Sequence, residues 1–96
     1  MAGTRAIWKL PLEAGGNTVQ MPKEARIIAV GSQAPGQACL WLICDPSAED
    51  EARQFAVLPT GQEWEDDGTE MIYHGTATDP LLMVWHVFEK GAANGG

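Results

Sequence analysis

Turn signals recur about every eight to twelve residues along this chain, and no long amphipathic helix fits between them. That spacing predicts an all-β fold, a small antiparallel sandwich or barrel-like sheet of six to seven short strands. The strands expected are Arg5–Leu10, Thr18–Met21, Arg26–Gly31, Gln37–Asp45, Arg53–Leu58, Glu70–Ala77 and Leu81–Glu89. Proline ends the first of these at Pro11, and Gly15-Gly16 reads as a turn. Ala34-Pro35-Gly36 places proline before glycine, the order of a type II turn, so the strands on either side should form a hairpin. From Cys39 to Cys44 the apolar run is unbroken, as expected of a strand covered on both faces, within a sandwich or at a subunit interface. Ser47 to Ala52 is acidic and fits one short helical turn capped by Ser47.

No internal repeat or second domain is visible. Residues 1–90 read as a single β-rich domain, and 91–96, with no apolar side chain larger than alanine, as a flexible C-terminal tail. A chain of 96 residues buries a small share of its surface, so added burial between copies is expected and a homo-oligomer is predicted.

Charge narrows the partners. Six Lys and Arg face 13 Asp and Glu, a formal net charge of -7. Direct nucleic-acid binding is not expected, because it draws on cations that displace phosphate counterions. Anionic membrane surfaces are disfavoured likewise, and no apolar run reaches the roughly 20 residues of a membrane span. Met1 to Leu12 lacks the apolar core of a signal peptide, which points to the cytoplasm of the host cell. Cys39 and Cys44 are five residues apart; in a strand that offset sends them to opposite faces, as small buried hydrophobes and not a disulfide. With only two histidines elsewhere, no metal and no cofactor is expected.

Ile7-Trp8-Lys9-Leu10-Pro11-Leu12, Met21-Pro22, Cys39-Leu40-Trp41, Asp45-Pro46 and Trp85-His86-Val87-Phe88-Glu89 occur in this order along the chain. Together they resemble a domain-of-unknown-function family of short proteins common in bacteriophage and prophage genomes. The resemblance runs from about Ile7 to Glu89 and implies a phage accessory product, with no defined activity and no catalytic residues to carry over. One loop departs from the family pattern. After Thr60-Gly61-Gln62, where a His-Pro turn is common, this chain continues as Glu63-Trp64-Glu65-Asp66-Asp67.

Catalysis has little to work with. His74 and His86 would need an acid such as Asp79 or Asp45 and a nucleophile, and neither a nucleophile elbow nor a His-Glu-x-x-His pair is present. Trp8, Trp41 and Trp85 lie in apolar strands and suit a core or an interface. Trp64 sits in a polar loop, where an aromatic either serves as a binding hot spot and stacking platform or folds back to cap the sandwich. Arg26 and Arg53, with Lys9 and Lys23 behind them, are candidates for a phosphate, and Thr60-Gly61 for an amide beside an anion; equally, these cations can balance nearby carboxylates. Glu65, Asp66 and Asp67 are either a solvated loop or a surface that meets a basic partner.

These readings converge on a non-enzymatic phage accessory protein that antagonises a bacterial defence system by binding. It would occlude a basic surface of a host defence protein or sequester a small nucleotide between subunits. A minor virion or assembly protein is the alternative, and a small hydrolase a distant third.

Overall fold

The computed structural model describes residues 3–91. The expected flexible tail falls outside the described residues from residue 92 onward; Gly91 itself donates its N–H to the Glu70 carbonyl at 2.8 Å. Seven strands make up the fold: β1 (Ala6–Glu13), β2 (Gly15–Pro22), β3 (Arg26–Gly31), β4 (Gln37–Cys44), β5 (Asp50–Pro59), β6 (Met71–Thr78) and β7 (Val84–Lys90). They form two antiparallel sheets, one in the order β1-β4-β3 and the other β2-β5-β7-β6. The all-β sandwich expected from the turn spacing is therefore the fold.

Alternation builds the core. On β4, Ala38, Leu40, Leu42 and Cys44 point inward, and Leu12 and Met21 join them from β1 and β2. Phe55, Val57, Trp85 and Val87 close the core from the four-stranded sheet. Each of the fully buried large side chains stabilises the fold by roughly 1.5–3 kcal/mol. Cys39 and Cys44 are both buried, free, and on opposite faces of β4, as their offset dictates. The apolar run is fully covered on one face and only in part on the other, where Cys39 is buried. Trp41 and Ile43 face outward and stay half-buried, because the four-stranded sheet packs on the other side. Among the three tryptophans assigned to apolar strands, Trp85 is buried, Trp41 half-buried, and Trp8 stands at the rim.

Four local expectations need correction. β1 runs through Pro11 to Glu13, because an edge strand has a partner on one side only and tolerates a residue without N–H. Gly15-Gly16 opens β2 instead of forming the turn. The reversal lies one residue earlier, where the Asn17 side chain bonds both the N–H and the carbonyl of Glu13, at 2.9 and 2.8 Å. The helical turn after Ser47 is absent. Ser47 donates its amide and hydroxyl back to Asp45 Oδ1, at 3.0 and 2.7 Å, and β5 begins at Asp50, three residues earlier than expected, to pair with Pro22. Leu81 to Met83, expected in the last strand, belong to the β6–β7 turn. The β3–β4 hairpin stands as expected, with Gln37 N–H on the Ala34 carbonyl at 3.3 Å and Gly36 at φ 73°.

Two clasps hold the sheets together. At one end the buried Asp79 carboxylate accepts from the Gly36, Leu81 and Met83 amides and from Trp85 Nε1, at 2.8–3.0 Å. The Gly36 amide, with the other donors behind it, holds this carboxyl down at about 2. Toward the other end, Arg53 of β5 reaches the Ala25 carbonyl at the entry to β3. Along one side β3 and β6 approach closely enough that a Cβ on Gly75 would stand 2.9 Å from Val30 Cβ, so only glycine fits there.

Candidate functional site

The sequence candidates do not gather into one site. Arg53 is spent on structure. Its Nε and Nη2 donate to the two oxygens of Glu89 at 2.6 and 2.8 Å, and Nη1 donates to Ala25 O at 2.6 Å. His74 Nε2 lies 2.9 Å from the same carboxylate, and the guanidinium sits over the Phe55 ring at 5.9 Å. Burial pushes the Glu89 carboxyl up, but the bonds from Arg53 and His74 outweigh it and hold it below the ordinary range. The bond to Glu89 in turn strengthens the Arg53 cation. A guanidinium with all three nitrogens engaged has little left for a phosphate.

Thr60 and Gly61 shape a turn. The Thr60 N–H is donated to the Val84 carbonyl at 3.1 Å, and Gly61, at φ 93°, allows Gln62 N–H to reach Pro59 O at 3.2 Å. The Thr60 hydroxyl lies 2.7 Å from His86 Nε2. His86 Nδ1 is 3.1 Å from the Thr76 hydroxyl, which is 2.5 Å from Tyr73 OH. Both imidazole nitrogens of His86 are thus engaged by hydroxyls, with no carboxylate in the chain of bonds. That arrangement links the turn after β5 to β6 and β7 on the outer face of the four-stranded sheet.

On the same outer face lies a groove of about 280 Å³. Ala56 and Leu58 of β5 form its floor with Met71 of β6, Trp64 forms a wall, and Glu65, Asp66 and Asp67 line the rim together with one cation, Lys90 of β7. Ala56 and Leu58 point away from the core, since their neighbours Phe55 and Val57 belong to it, yet both are buried. The loop from Thr60 to Thr69 is what covers them. Trp64 nonetheless remains 55% exposed, so it covers the floor only in part and offers a free indole face. Asp66 accepts the Gly68 amide at 3.0 Å and Asp67 the Thr69 amide at 2.8 Å, which holds the carboxylates along the rim. The Thr69 bond also lowers the Asp67 carboxyl below its ordinary value.

Arg26 is on the opposite side of the molecule, paired with Ile43 on the outer face of the three-stranded sheet. With Arg5 and Lys23 it lines a second groove of about 460 Å³, whose wall also carries Glu24 and Asp45. Lys23 is partly engaged there by Glu49 at 3.3 Å.

One feature went unread in the sequence. Leu81, Leu82 and Met83 form a bare apolar tip, 70%, 80% and 46% exposed. Asp79 captures the amides on either side, and Leu82 is held at φ 68°, a conformation that costs a branched residue about 1 kcal/mol. An Asp-Pro followed by three residues and an apolar strand was the available signal, an Asx turn that removes those residues from the ladder.

A family profile described as a domain of unknown function (DUF7352) matches residues 3–95. No curated protein and no solved structure matches the chain. Because the match spans nearly the whole sequence, this chain belongs to the DUF7352 family.

Proposed function

We propose that this chain is a non-catalytic binding protein that captures a cationic segment of a protein partner in the Trp64 groove. The observation behind the reading is the half-exposed Trp64 beside three consecutive carboxylates, over an apolar floor. A lysine or arginine side chain matches that chemistry. Its methylene stem lies on Leu58 and Met71 while its charge meets the indole face and the carboxylates. A cation over a tryptophan contributes about 0.5–1 kcal/mol where exposed and roughly 2 where desolvated. The net charge of -7 adds long-range attraction that speeds encounter with a basic partner.

The phage-like hallmarks of the sequence supply a setting. There, the partner is a host defence protein, and occupying its basic surface keeps nucleic acid away from it. Calorimetric titration with a short Arg-rich peptide tests the groove. We expect binding that weakens with salt and is lost in Trp64→Ala without a change in fold; no heat at low salt overturns the reading. Pull-down from host lysate then tests the setting, and recovery of no basic defence protein refutes it.

The Arg5–Lys23–Arg26 groove favours a second reading, sequestration of a small nucleotide. A ligand that binds the native state must raise the melting temperature, so a flat response to cyclic and linear nucleotides removes it.

A further inference from the structure

The two broad faces of the sandwich differ in their balance of charge. Register places Ile7, Lys9, Glu13, Arg26, Trp41 and Ile43 on the outer face of the three-stranded sheet, since residues paired across an antiparallel ladder point the same way, and Arg5 lines a groove there with Arg26 and Ile43. Lys9 and Arg26 stand on this face with one carboxylate, Glu13. Its apolar part is open: Ile7 is 63% exposed, and Trp41 and Ile43 are half-buried with no layer over them among the described residues. The other face carries the groove with Trp64, where three carboxylates, Glu65, Asp66 and Asp67, outnumber the single cation Lys90.

We infer that copies of this chain stack face to back, the cationic face of one packing on the Trp64 groove of the next. This rests on the groove reading above and names a second copy as an occupant. Pairing of like faces would set Lys9 and Arg26 against their own copies, or the groove carboxylates against theirs, which is repulsive. Face-to-back packing sets Arg26 and Lys9 against the carboxylate rim and covers apolar surface on both sides. Such a contact joins two different patches, so it does not close on a dimer; it continues into a ring or an open stack. The gain in burial is what a domain this small lacks on its own.

Sedimentation and light scattering of the full chain test the inference, with two variants in solvent-facing positions. One is Lys9→Glu/Arg26→Glu; the other is Trp64→Ala/Glu65→Lys. The wild-type chain should show a mass that rises above 10.3 kDa with concentration and falls back in high salt. Each variant alone should stay monomeric, with an unchanged circular dichroism spectrum. Mixed, the two retain one intact patch each and should form a one-to-one dimer and nothing larger. A wild-type chain that is monomeric at every concentration overturns the inference, as does a mixture that stays monomeric. A variant that dimerises with itself also overturns it. If the chain does not self-associate while the Arg-rich peptide still binds, stacking is refuted and the groove reading stands. If the peptide fails too, both fall.

Discussion

Replacing Arg53 with methionine tests the clasp between the sheets. The substitution keeps an unbranched apolar stem over Phe55 but removes three hydrogen bonds of 2.6, 2.8 and 2.6 Å. It leaves Glu89 facing only His74, and the Ala25 carbonyl without its donor. Breaking one partner of a fully buried ion pair costs about 3–5 kcal/mol. Here the side chains of Arg53 and Glu89 are 18% and 13% exposed, so water recovers part of the loss and about 2–3 kcal/mol is expected. In a domain of this size that lowers the melting temperature by roughly 8–24 °C. Urea unfolding should show the same loss as a fall in midpoint at unchanged slope. Acid supplies a second readout. The folded Glu89 carboxyl lies below its ordinary value of 4.5, so its contribution is complete above that pH. It is lost as pH falls through the lower folded value, and this acid sensitivity should shrink in Arg53→Met. Adding Glu89→Gln should cost less than the sum of the single changes. A loss under about 0.5 kcal/mol in Arg53→Met, with the acid limb intact, would refute the clasp.

Gly75→Ala should destabilise by about 1–3 kcal/mol in urea unfolding, because the new Cβ meets Val30 Cβ at 2.9 Å where β3 and β6 close the sandwich. Leu82→Gly should leave stability unchanged or raise it by up to about 1 kcal/mol, since it releases the φ of 68° and removes a side chain that is 80% exposed. A clear loss would mean that Leu82 has a packing partner. Asp79→Asn should flatten acid unfolding between the ordinary aspartate value of 3.8 and about 2, the window in which a depressed carboxyl gives up its contribution as pH falls. Trp85 fluorescence, next to the lost charge, reports this directly. Trp64→Ala should shift the melting midpoint by only a few degrees while abolishing peptide binding; a large thermal loss with binding intact would make Trp64 a cap.

Fold class was written in local pattern. Alternating apolar residues and turn chemistry are properties of a few neighbouring residues, so β3, β4, their hairpin and the opposite facing of Cys39 and Cys44 were readable. The errors lie where a side chain competes for the backbone. Asp45 holds the Ser47 hydroxyl that a helical cap would have turned toward the amides after it, and Asp79 takes the amides of Leu81 and Met83 from the strand. The site was legible by halves. Trp64 and its acidic neighbours were found because an aromatic in a charged loop is conspicuous, but Ala56, Leu58 and Met71 beneath them come from other strands.

The amino-acid sequence by itself determined that this chain is an acidic all-β domain, and which residues alternate into its core. Only the tertiary structure decided which charges are free. Arg53 is consumed by Glu89, 36 residues away, while Arg26 stays on an open face, though both are arginines on strands. The reason is physical: strand propensity is set within a few residues. Pairing of charges and covering of faces depend on how two sheets meet, and that is settled only when distant segments share one core.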